Sequence, residues 1–329
     1  MKRFAPLIAL LVVTLTRTAA AANGLPPQMW LAGEDPVVQK DKHKDQPADY
    51  MDMFKSGAPW GTAASGMTAF KVSTQFVLRG TDEELRAVIN DLKERHIAFA
   101  IEAGLIDGGA NECGKAVEGY SNHGSTEVGA KRIKNLGGQI DYIAMDEPVW
   151  FGHIAGQLSG GRRGCQYSLE DLTKQIAGRI AILHRYFPNA QVGDIEPINA
   201  KVGGVQSIND IVAFESMLHQ KTGVAPAFVH ADMGWQIPGW QPLLRNLFAK
   251  LRAQGIPVGV ICDGDANAGG DVAGVRQALQ RCRDVASNPQ TRPDVFIVQS
   301  WEPLPTKMLP ENDPGSLTYE ARQVMTWVR

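Results

Sequence analysis

The chain has neither G-x-G-x-x-G nor G-x-x-x-x-G-K-[ST], so it offers no dinucleotide fingerprint and no phosphate-cradling loop. It also lacks a G-x-S-x-G elbow, which sets aside a serine nucleophile of the α/β-hydrolase kind. Only four cysteines are present, none in a C-x-x-C pair and none with a histidine at zinc-site spacing. Charge of one sign is missing too: 33 Lys and Arg stand against 35 Asp and Glu, a net charge of −2. That balance gives no electrostatic basis for binding nucleic acid or an anionic membrane. No apolar run reaches the roughly 20 residues that a membrane span needs.

The longest apolar run, Phe4 to Leu15, follows Lys2 and Arg3 and precedes small residues from Ala19 to Ala22. This three-part layout predicts a secretory signal over residues 1–22, leaving 23–329 as the folded part of a secreted or periplasmic protein. In an oxidising compartment Cys113 and Cys165, both in Gly-rich loops, can pair. Cys262 in an apolar strand and Cys282 in the following helix either pair or pack as two buried thiols.

Periodicity resolves the rest into a regular alternation. Apolar runs bounded by turn residues predict strands over 29–34, 70–78, 97–104, 140–147, 190–197, 226–235, 257–265 and 294–303. Helical patterns lie between them, at 81–96, 125–136, 168–187, 207–223, 239–254, 271–287 and 316–328. Thr81 with Glu84 three residues on forms a capping box, and Gly223 marks a helix stop. Eight strand–helix alternations, with no linker and no second composition block, predict an α/β fold: a single (β/α)8 barrel over 23–329.

Barrel active sites form at the carboxyl ends of the strands. Those ends read Glu34 and Asp35; Gln75; Glu102; Asp146 and Glu147; Asp194 and Glu196; His230, Asp232 and Trp235; Asp263 and Asp265; Gln299, Trp301 and Glu302. So many carboxylates converging on one mouth raise one another's pKa and cost stability, so a structural role alone does not account for them. Carboxylates ringed by tryptophans suit a sugar, whose ring has apolar faces and a hydroxyl rim. Cleaving a glycosidic bond takes one protonated and one ionised carboxyl group. A proline follows the acid at 147–148, 196–197 and 302–303, which predicts an extended, presented carboxylate at each place.

A strand-4 ending "MDEP" in an eight-stranded barrel resembles the acid/base signature of clan A glycoside hydrolases, and Trp301 in "QSWEP" resembles that clan's strand-8 tryptophan. The resemblance implies that Glu147 is the general acid/base and that Trp301 floors the site. It departs from the clan at Asp146, where an Asn is usual, and at strand 7, which ends "ICDGD" where the clan carries a glutamate nucleophile. The candidates for the second carboxylate are therefore Asp263 and Glu196. Asp146, Glu102, Gln75, His230, Asp232, Trp235, Trp301 and Glu302 are the expected substrate contacts. The expectation is a carbohydrate-cleaving enzyme that needs no cofactor and no metal, with no nucleic-acid partner and no membrane after signal removal. Two alternatives stand beside it. One is a non-catalytic glycan-binding barrel that has lost its strand-7 acid. The other is a metal-dependent hydrolase or lyase using His230 and Asp232.

Overall fold

The computed structural model describes residues 27–42, 49–109, 112–122, 124–300 and 304–328. The signal expected over residues 1–22 lies outside these residues. Eight parallel strands close into a barrel: β1 (Gln28–Ala32), β2 (Ala69–Ser73), β3 (Ala98–Ala103), β4 (Tyr142–Asp146), β5 (Gln191–Ile198), β6 (Val229–Met233), β7 (Val258–Cys262) and β8 (Val295–Gln299). Each pairs with the next, and β8 closes on β1 with Gln28 opposite Val295. Successive parallel strands need a crossover, and helices supply it on the outside of the barrel.

Helix starts follow their capping chemistry. Thr81 Oγ1 accepts from the Glu84 amide at 3.1 Å while the Glu84 carboxylate accepts from the Thr81 amide at 2.8 Å, opening the helix Asp82–Glu94. Ser168 Oγ caps Leu169–Tyr186 by accepting from the Asp171 amide at 3.1 Å, and Gly223, at φ 71°, ends Gly204–Thr222. Most strands are shorter than their apolar runs suggest, and β2 shows why. Ser73 Oγ accepts from the Phe76 amide at 3.0 Å, so the chain turns into the helix Thr74–Arg79 where a strand to residue 78 is expected.

The barrel interior is filled unevenly. Trp30, Phe228, Ile261 and Ile297 fill it from one side against Ala69, Ala100 and Ala144 on the other. Gly193 and Gly259 make room for the rings. A Cβ on Gly193 would lie 2.4 Å from Phe228, and one on Gly259 would lie 2.5 Å from His230. A second, larger apolar layer joins the outer strand faces to the helices.

Two disulfides brace the loops at the carboxyl ends. Cys113–Cys165 ties the loop after β3 to the loop after β4, with Cα atoms 5.0 Å apart. Cys262–Cys282 ties the last residue of β7 to the helix Asp271–Ser287, with Cα atoms 5.7 Å apart. Among the described residues no helix is long and apolar enough to cross a membrane.

Candidate active site

A cavity of about 550 Å³ opens at the carboxyl ends of the strands. Glu102 enters it from β3, Asp146 and Glu147 from β4, Asp232 from β6, and Asp263 and Asp265 from the loop after β7. Alternation along the strands explains the set: Asp146 lies two residues beyond interior Ala144, and Asp232 two beyond interior His230. Glu118, Ile195, Met233, Trp235, Gln236, Gly264 and Arg281 also line it. A wider groove of about 1050 Å³ shares Glu102, Glu118 and Asp146 with the cavity and continues past Gln75, Arg79 and the Cys113 loop.

Glu147 is the first residue past β4, and its backbone is left-handed, φ 46° and ψ 48°. The extended conformation expected of a residue before proline is not adopted. A non-glycine residue held there costs about 1–3 kcal/mol, and such strain collects at functional sites. Its own amide donates to the Ile195 carbonyl at 3.1 Å, and its carbonyl accepts from the Phe151 amide at 2.9 Å. The widened π-helical turn Pro148–Ile154 follows, closed by the Ala155 amide on the Trp150 carbonyl at 2.7 Å. Pro148 costs this turn nothing, because the first amide of a helix has no partner to lose.

The electrostatics of the mouth favour a protonated Glu147. Burial, followed by the nearby carboxylates of Asp232, Glu118, Asp146 and Glu196, pushes its pKa well above the usual carboxylate range. Asp146 is raised as well, by burial, Glu118 and Glu102, against a bond from the Gly119 amide at 3.2 Å and the charge of Lys71. Lys71, buried in the barrel, forms an ion pair with Glu102 beneath the mouth.

Asp263 stands in a different setting. Its Oδ1 accepts from the Trp235 indole at 2.8 Å and lies 4.0 Å from the Arg281 guanidinium, which also donates to its carbonyl at 2.7 Å. Arg281 lies over the Trp235 ring, 5.6 Å from its centroid, and pairs with Asp265, which in turn accepts from Gln236. The Cys262–Cys282 bond joins the residue before Asp263 to the residue after Arg281 and so fixes this contact.

Two sequence expectations are corrected by the geometry. Glu196, a candidate for the second carboxylate, does not line the cavity. Its neighbour Ile195 faces the barrel interior, so Glu196 faces outward, fully buried, and accepts from the amides of Val149 at 2.5 Å and Trp150 at 3.0 Å. His230 is not at the mouth either. It is completely buried in the interior, stacked on Phe228 at 4.2 Å and edge-on to Trp30 at 4.9 Å. Burial and Lys71 hold its imidazole well below the usual pKa, hence neutral. Gln75, an expected substrate contact, lies exposed on a helix and lines the outer groove, not the cavity. Trp301 and Glu302 lie outside the described residues. Glu118, Gln236 and Arg281 are wall residues that strand-end reading misses. Among the described residues no group of three or more His, Cys, Asp or Glu side chains is arranged to hold a metal ion.

No family model matches the chain, and no curated protein matches it by sequence. Solved structures do share its fold. The catalytic domain of an Ignisphaera aggregans family 53 glycoside hydrolase superposes with a TM-score of 0.56 at 10% identity, covering 93% of this chain and 98% of that one. A fungal β-1,4-galactanase gives 0.54 at 11% identity, covering 90% and 99%, and xylanase 10B of Thermotoga maritima gives 0.51 at 13%, covering 92% and 95%. The chain thus shares the closed (β/α)8 barrel fold of these structures.

Proposed function

We propose that the protein is an exported glycoside hydrolase in which Glu147 is the proton donor and Asp263 the second carboxylate. One observation carries the reading: a single mouth cavity is lined by a strained glutamate after strand 4 and an aspartate after strand 7, in contrasting electrostatic settings. Glu147, kept protonated by burial and by its acidic neighbours, delivers its proton to the glycosidic oxygen as the bond to the leaving sugar breaks. Asp263, faced by an indole N–H and a guanidinium, acts on the opposite side as the base or nucleophile of the anomeric carbon. Asp146, Asp232, Glu102 and Trp235 contact the sugar at the cleavage point. The adjoining groove gives room for further sugar units, which suits a polysaccharide. Two disulfides agree with export to an oxidising compartment.

The test is reducing-sugar release by the purified protein over a panel of polysaccharides, beside Glu147→Gln and Asp263→Asn, with and without a chelator. Each variant is expected to lose at least about a thousandfold in kcat, because each removes one of the two carboxyl groups that the reaction divides its roles between. Full activity in either variant, or loss of activity to the chelator, would overturn the assignment.

A further inference from the structure

We infer that Glu196 is a positioning residue: from the far side of β5 its carboxylate grips the turn after Glu147 and aims that acid at the cavity. The activity arm of this inference rests on the function proposed above.

A turn that opens a helix leaves its first amides without partners, and the side chain of the capping residue normally takes them. Here the capping position is Glu147 itself, and its side chain makes no capping bond. Pro148 has no amide to offer, so the first two free donors of the turn are Val149 and Trp150. Both are taken by Glu196, one on each carboxylate oxygen, at 2.5 and 3.0 Å. The cap is supplied by the neighbouring strand, and Glu147 is left free for the cavity.

The strand register makes the reach possible. Asp146 lies opposite Ile195, and the Ile195 carbonyl accepts from the Glu147 amide at 3.1 Å. Glu196 is the next residue along, on the outward face, directly behind the turn. Two other buried carboxyl groups face it, Asp194 on the same side of β5 and Glu215 from the helix Gly204–Thr222. Among the described residues no ion pair or hydrogen bond joins a cation to any of the three, so a role in charge pairing does not explain Glu196, whereas the two amide bonds do.

The experiment has two arms. In the first, Glu196→Gln and Glu196→Asp are compared with the parent in kcat, KM and pH profile. Glutamine sets an NH2 group against one amide, and aspartate is one methylene too short to hold both. Each is expected to lower kcat about a hundredfold, as a small misplacement of a catalytic group does, with KM within about threefold. The acidic neighbours of Glu147 no longer enclose it in a fixed geometry, so the limb of the pH profile set by the acid is expected to shift. A purely structural Glu196 would lower the thermal midpoint and leave kcat per folded molecule and the pH profile unchanged, and that outcome overturns the inference. The second arm needs no substrate. Glu147→Gly relieves the left-handed strain and is expected to raise the thermal midpoint of the parent. In the Glu196→Gln background the turn has relaxed, so the same change is expected to give no rise or a fall. Additive midpoint shifts would refute the clamp whether or not the protein cleaves sugars. Loss of activity in Glu147→Gln with full activity in Glu196→Gln would refute the clamp and leave the proposed function standing.

Discussion

Glu215 offers the most direct physical test of the buried acidic cluster behind β5. It is 1% exposed and lies against Asp194 and Glu196, and burial raises its pKa from 4.5 to about 8. The folded protein therefore keeps a proton that the unfolded chain releases above about pH 4.5. Stability falls as pH rises through that window and levels off above about pH 8. This is opposite to the behaviour of a salt-bridged carboxylate. At 1.36 kcal/mol per pH unit the window amounts to about 5 kcal/mol for this group, comparable with the whole stability of a marginal domain. Glu215→Gln keeps the shape and cannot ionise. Urea unfolding followed by tryptophan fluorescence, at intervals from pH 4.5 to 8.5, gives the difference between variant and parent. That difference is expected to grow with pH in favour of the variant, reaching several kcal/mol at pH 8. Asp146, Glu147, Asp194, Glu196 and Glu320 are raised in the same sense, so the variant retains part of the slope. A difference that stays within about 1 kcal/mol across the range would refute the reading of Glu215 as protonated.

The remaining predictions concern the loops and the cavity. Loop-closure entropy for sequence separations of 20 and 52 residues assigns about 3 kcal/mol to Cys262–Cys282 and about 4 kcal/mol to Cys113–Cys165, so paired alanine variants are expected to lower the guanidinium midpoint in that order of severity. Trp235→Phe keeps the ring and removes the 2.8 Å donor to Asp263, which is expected to lower kcat about 10- to 100-fold with the fold intact by circular dichroism. Among the described residues the cavity wall carries seven carboxylates (Glu102, Glu118, Asp146, Glu147, Asp232, Asp263 and Asp265) and one arginine, Arg281. Uronic acid polymers are therefore expected to be cleaved at least about tenfold less efficiently than neutral ones at low salt, with the gap narrowing as salt is added; a preference for uronates at low salt would contradict this.

The barrel was legible because its signals are local. Eight apolar runs and seven helical patterns each carried their own boundary chemistry, and Thr81, Ser168 and Gly223 stand where capping places them. The run at 70–78 misled because its stop signal, Ser73, is a single hydroxyl, and the helix it caps is only six residues long. The site was legible only by position along each strand. Alternation puts Asp194 and Glu196 on one face, yet whether that face looks into the barrel depends on register with β4, which is not written in either segment. Alternation also puts His230 and Asp232 on one face, but a strand rises about 3.3 Å per residue, so His230 is a full layer below the mouth and belongs to the core. Glu147 escaped both rules, since it lies beyond the strand and is turned by a backbone conformation that a following proline does not predict. Arg281 has the most instructive signal among the missed residues. It sits on a helix, where strand-end reading does not look, but it is adjacent to Cys282, and Asp263 is adjacent to Cys262. The Cys262–Cys282 bond brings those neighbours together, and Asp263 is the carboxylate that Arg281 serves.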